Sequence, residues 1–158
     1  MLFRSVPALM ALGQIHLQRG ENSQAIDAFE KALARFPKLA PAQKHLAALY
    51  AQTPGKEAKA YELATSARAV LRNDPGLAKT LGRLSYGRKE YRYAVTLFEE
   101  GLRGGPQDAP SLFLLGMSHY QLKDAAAGAA ALQKALAAGL AEPSAAEARR
   151  VLAELQKR

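Results

Sequence analysis

The residues of this chain that could do chemistry are few and scattered. Its three histidines are His16, His45 and His119. A metal pair on a helix needs a second ligand three or four residues on, and His45 is followed there by Ala48 and Leu49. Ser118 and His119 are neighbours, which on a helix turns them to different sides and denies the hydroxyl a base. Glu99 and Glu100 are adjacent acids whose ordinary reading is a solvated helix face. Gly101, Gly104 and Gly105 share only composition with a phosphate-cradling loop, because the spacing differs and no Lys follows. Cysteine is absent, which removes thiolate nucleophiles, thiolate metal sites and disulfides together. The expectation is a chain with no catalytic residue, no metal and no cofactor.

The elements that carry these residues follow from wider features. A chain of 158 residues, 49% hydrophobic and 23% charged, has the composition of one globular domain or a short array. No apolar run approaches the roughly 20 residues a membrane span needs. The opening "MLFRSVPALMALG" superficially offers a secretion signal, but its charged part is a single Arg and its apolar residues are required by the pattern below. A net charge of +8 raises nucleic acid as a partner, yet no segment of the array exceeds two net positive charges, so there is no basic stripe.

The chain repeats itself. "LGQIHLQRGENSQAIDAFEKALARFP" from Leu12 returns as "LGRLSYGRKEYRYAVTLFEEGLRGGP" from Leu81 and as "LGMSHYQLKDAAAGAAALQKALAAGL" from Leu115. Gly13, Ala47, Gly82 and Gly116 are spaced by 34, 35 and 34 residues, a period that signals a repeat array. Within each copy apolar residues recur at helical spacing, as in Ala25, Ile26, Phe29, Ala32, Leu33 and Phe36. Short polar stretches such as "QRGENSQ" and "YGRKEYR" split each copy into two helices. Pro37, Pro75 and Pro106 stand at helix ends, where a missing N–H is harmless. Small residues at Gly13, Ala25, Ala32, Gly82, Ala94, Gly101, Gly116, Gly128 and Ala135 let two helices cross closely, with Phe29, Phe98 and Leu132 filling the space between.

These residues resemble the tetratricopeptide repeat. The first copy places Leu9, Leu12, Gly13, His16, Ala25, Phe29, Ala32 and Pro37 at the family's signature positions. The third places Ala78, Leu81, Gly82, Ser85, Ala94, Phe98, Gly101 and Pro106 there. The fourth has Leu112, Leu115, Gly116, His119, Gly128, Leu132 and Ala135, with Leu140 where Pro is usual. The second departs most, with Gln43 and Ala47 for the bulky residue and Gly and one extra residue in "TPGK". In that register His16 and His119 hold the interior aromatic position, a packing role.

The resemblance implies an all-α right-handed solenoid of four helix-turn-helix units, residues 6–39, 40–74, 75–108 and 109–141, sealed by a capping helix over 142–158. Residues 1–5 read as a leader, non-native or the edge of a truncation. It further implies a protein-interaction scaffold whose first helices line a groove for a peptide or protein segment. Carried over by position, that groove holds Met10, Gln14, Leu17, Lys44, Gln52, Lys79, Arg83, Tyr86, Phe113, Met117, Tyr120 and Gln121. Lys79 and Arg83, one turn apart, could grip a carboxylate in two-pronged fashion, which points to an acidic partner with an apolar anchor. Chaperone-tail-binding members rely on Asn where Gln14, Ala48 and Thr80 stand here, so that ligand is not expected. The middle of the chain is also similar to the later repeats of bacterial tetratricopeptide lipoproteins of exopolysaccharide and exosortase systems, which would place it in the cell envelope as the carboxyl end of a longer protein; without that likeness a cytoplasmic site is equally open. Two other readings stand beside the scaffold: a passive spacer or self-assembly segment of a longer array, and an RNA-binding helical repeat.

Overall fold

The computed structural model describes residues 5–156, so the leader reading falls, but for Ser5, outside it. The fold is all-α, of the helical-repeat solenoid class. Among the described residues nine helices follow one another: α1 (Val6–Gln18), α2 (Asn22–Arg35), α3 (Ala40–Tyr50), α4 (Glu57–Arg68), α5 (Pro75–Gly87), α6 (Tyr91–Arg103), α7 (Ala109–Gln121), α8 (Ala125–Ala137) and α9 (Ser144–Leu155). None is long and apolar enough to cross a membrane. The chain divides between Arg72 and Asn73 into two compact units. The first contains the hairpins α1–α2 and α3–α4; the second contains α5–α6, α7–α8 and α9.

Helix starts are written into the sequence. The first helix of each hairpin has Pro within its first two positions, where the ring's fixed φ is already helical and no N–H is missed. Ser5, Asp74, Asp108 and Asp124 each accept a hydrogen bond from the amide three residues on, at 3.3, 2.8, 2.9 and 3.1 Å. Helix ends are equally regular. The amides of Glu21, Glu90, Asp124 and Leu140 reach back five residues to the carbonyls of His16, Ser85, His119 and Ala135. That turn forces the preceding residue into the left-handed region. Glycine takes the place twice, Gly20 at φ 71° and Gly139 at φ 81°, but Lys89 (62°) and Lys123 (64°) take it in the second unit.

Packing follows a trade in size. A Cβ on Gly13 would lie 2.6 Å from the Phe29 ring, one on Gly116 would lie 2.7 Å from Leu132, and one on Gly82 would lie 3.1 Å from Phe98. In the α3–α4 hairpin Ala47 and Ala64 hold the corresponding positions by register and both are fully buried, so a small residue there need not be glycine. The weak signature of the second copy has a second cause. Gln43 is buried, and its amide donates to the Pro37 carbonyl at 2.8 Å, tying down the connection after α2. Tyr50 is fully buried with its hydroxyl on Glu30, and Lys56 lies 4.3 Å from its ring centroid. In the second unit α9 packs Ala148 and Val151 onto Leu112, Met117, Leu132 and Ala135, with Leu152 and Leu155 at the margin. It thus covers the apolar side of the last hairpin.

Candidate functional site

The candidate site is the face of the first helices, which the two units present separately. In the first unit Met10 and Leu17 on α1 and Lys44 on α3 are half-buried, while Gln14 and Gln52 are exposed. Gln52 follows the end of α3 and donates back to the Ala48 carbonyl at 3.2 Å.

In the second unit the positions behave differently from one another. Arg83 and Gln121 are exposed, and Tyr86 and Tyr120 are half-buried. Phe113 and Met117 are buried within the core beneath them, so they support this face from below rather than line it. Lys79 is engaged: its ammonium lies 2.6 Å from the Asp108 carboxylate and also donates to the Pro106 carbonyl. Its stem crosses Gly101, where a Cβ would come within 2.6 Å of the Lys79 Cγ. The Gly101–Gly105 cluster therefore serves a close approach of α5 to the end of α6. Burial opposes ionisation of Asp108, but hydrogen bonds from Lys79 and Ser111 and the Lys79 charge outweigh it and hold the carboxyl below its ordinary value. Lys79 consequently offers no free ammonium beside Arg83, and the two-pronged carboxylate grip lacks one prong.

The cap also brings groups to this face that register counting on the repeats alone leaves out. The Tyr120 hydroxyl donates to Glu154 at 2.7 Å, and Arg150 donates to the same carboxylate group at 2.8 Å. The Tyr86 phenol is pushed up by burial first, then by Tyr91 and by Glu147. Tyr86 meets Tyr91 edge to face at 5.5 Å between centroids. Acids from α9 thus stand where the repeat positions supply only cations. The signal was present as the charged stripe Glu147, Arg150, Glu154 of the last helix.

The remaining candidates have structural partners. His16 meets Glu21 at 2.5 Å and His119 faces Asp124 at 3.5 Å, each joining the end of one helix to the start of the next. His45 stacks on Phe29 at 5.0 Å and 11°. The Ser118 hydroxyl donates to the Leu114 carbonyl at 2.7 Å. Among the described residues no three acids or histidines are grouped as a metal would require.

Helical hairpins of this period, with a small residue against a large one at each crossing, define a repeat protein of the solenoid class. The chain belongs to the tetratricopeptide-repeat family: Tetratricopeptide repeat models match residues 6–49 and 79–139. The stretch between the two matches contains the inserted turn. No curated protein sequence matches the chain. Its fold is shared by solved structures of low identity. A MamA mutant superposes with a TM-score of 0.81 at 21% identity, covering 96% of this chain and 86% of that one. MamA from AMB-1 gives 0.78 at 21%, covering 94% and 85%. A tetratricopeptide repeat protein from Parabacteroides merdae gives 0.69 at 16%, covering 96% and 60%. Tetratricopeptide repeats generally mediate protein–protein interaction and are generally not enzymes.

Proposed function

We propose that this chain is a scaffold that holds a segment of a partner protein along the first-helix face of its second unit. The observation that carries the reading is the pair of half-buried tyrosines, Tyr86 on α5 and Tyr120 on α7, standing over buried Phe113 and Met117. An aromatic ring with a polar tip gives large contact area with little side-chain freedom to lose, which is why such residues dominate recognition surfaces. Arg83 is available for a carboxylate, while Glu147 and Glu154 oppose a uniformly acidic ligand. The face therefore suits a segment of mixed charge with apolar side chains.

The test is site-specific photo-crosslinking in cells of the source organism. A crosslinking amino acid at Gln121 or Arg83 should capture one protein, identified by mass spectrometry, that the same probe at Lys134 does not capture. Tyr86→Ala with Tyr120→Ala should remove the adduct while circular dichroism stays unchanged. Capture of nothing at either groove position would favour the spacer reading, and an adduct destroyed by RNase would favour the RNA reading.

A further inference from the structure

The hairpin turns of the second unit build a second recognition surface, apart from the first-helix face. Lys89, Glu90, Tyr91, Arg92, Tyr93 and Leu122 line an open hollow of about 360 Å3 where the α5–α6 turn lies beside the α7–α8 turn. Tyr93 is 41% and Leu122 37% exposed, although both are large and apolar enough to be expected inside. Single exposed apolar residues need no account, but two beside one hollow with an aromatic wall form a socket for a side chain.

Cations outnumber acids in its wall, Lys89 and Arg92 against Glu90. Among the described residues the side chains of Lys89, Arg92 and Lys123 form no hydrogen bond or ion pair, and all three are exposed. The acids of the same turns are committed elsewhere. Glu90 is held by Arg88 at 2.8 Å, and Asp124 caps α8 through Ala127 and faces His119. Lys89 and Arg92 thus line the socket, Lys123 follows its Leu122 wall in sequence, and the one acid in the lining, Glu90, is paired with Arg88.

Backbone strain points the same way. Lys89 and Lys123 occupy left-handed positions that Gly20 fills without penalty in the α1–α2 turn and Gly139 after α8, and a side chain at such a position is disfavoured. The second unit therefore carries an ammonium at the two turns where glycine would be easier to accommodate. Strain retained at a surface position motivates a functional reading.

We infer that this turn edge docks an acidic segment of a partner protein, with one aromatic or large aliphatic side chain in the socket and flanking carboxylates on Lys89, Arg92 and Lys123. A concave hollow of this size suits a single side chain better than a bilayer, which is met by protruding apolar groups. Three cations are too few for the phosphate row of an RNA.

The probe is a short fluorescein-labelled peptide of Asp and Glu with one central Phe, followed by fluorescence anisotropy at low salt. Saturable binding is expected that weakens as salt rises. Replacing the Phe by Ala in the peptide, or Tyr93→Ala in the protein, should weaken it at least fivefold. The decisive variant is Lys89→Gly with Lys123→Gly. It should melt at a higher temperature than the parent and bind the peptide at least tenfold more weakly, so the loss cannot come from unfolding. Lys134→Glu, on a different surface of α8, should change affinity less than twofold. The inference is overturned if the parent shows no saturable binding, or if the double glycine variant binds as well as the parent. It is equally overturned if phosphatidylserine vesicles or an unstructured RNA bind through these lysines while the peptide does not.

Discussion

Lys79 is the residue whose role changes most between sequence and structure, and a double-mutant cycle with Asp108 tests that role. Lys79 reaches Asp108 at 2.6 Å with only 15% of its side chain exposed, while Asp108 remains 38% exposed. A fully exposed pair contributes about 0.2–1 kcal/mol, and a hydrogen bond to a charged group about 1.5–3. The exposure of Asp108 discounts the upper figure for screening, which leaves a coupling of about 1 kcal/mol. Lys79→Met keeps the stem over Gly101 and removes the ammonium, also leaving the Pro106 carbonyl without this donor. It should lower the melting temperature by about 3–6 °C for a loss of about 1.5 kcal/mol. Asp108→Asn should retain most of the helix cap through Ser111. The double variant should then be less destabilised than the sum of the two. A carboxyl held below its unfolded value contributes stability that is complete above about pH 4 and fades as pH falls towards the depressed folded value. Wild type should therefore lose more stability than Lys79→Met between pH 5 and about pH 3. Thermal melts by circular dichroism of the four proteins give the cycle. A coupling below about 0.3 kcal/mol, with equal acid sensitivity in wild type and Lys79→Met, would refute the pinning role.

Crossing distances rank the glycines. Gly13→Ala, with a Cβ 2.6 Å from Phe29, should destabilise by about 1–3 kcal/mol, and Gly82→Ala, at 3.1 Å from Phe98, by clearly less; denaturant titration reads the order. The buried hydroxyl of Ser85 finds no hydrogen-bond partner among the described residues, so Ser85→Ala should stabilise by about 1 kcal/mol, seen as a higher urea midpoint. Tyr50 is pushed up to about 12 by burial first and by Glu30, so its contribution is complete below pH 10 and lost as pH rises through about 12; Tyr50→Phe should flatten the alkaline limb of a stability–pH profile. Deleting Ala145 to Arg158 uncovers Leu132, Met117 and Leu136, and size-exclusion chromatography should show association or loss of soluble protein.

The sequence by itself determined the array. A period of about 34, two helical stripes per copy, Pro at helix starts and a small residue facing a large one are local rules, each satisfied within a few turns of chain, so counting recovers them. Tertiary structure decided which groups remain available. Lys79 and Asp108 are 29 residues apart, and nothing in either neighbourhood announces that they meet, so a lysine on the groove face becomes a pin. Phe113 and Met117 occupy face positions by register yet lie in the core. Glu154 joins Tyr120 from a helix outside the repeats. Charge shows the difference most plainly. Along the chain the excess of cations is spread evenly, but the fold stacks one hairpin turn on the next, which brings Lys89 and Leu122 to one hollow while Glu90 pairs with Arg88 and Asp124 caps α8. Local periodicity fixes where helices begin and end; which charges stay free is set by pairings between residues distant in sequence, and only packing makes those.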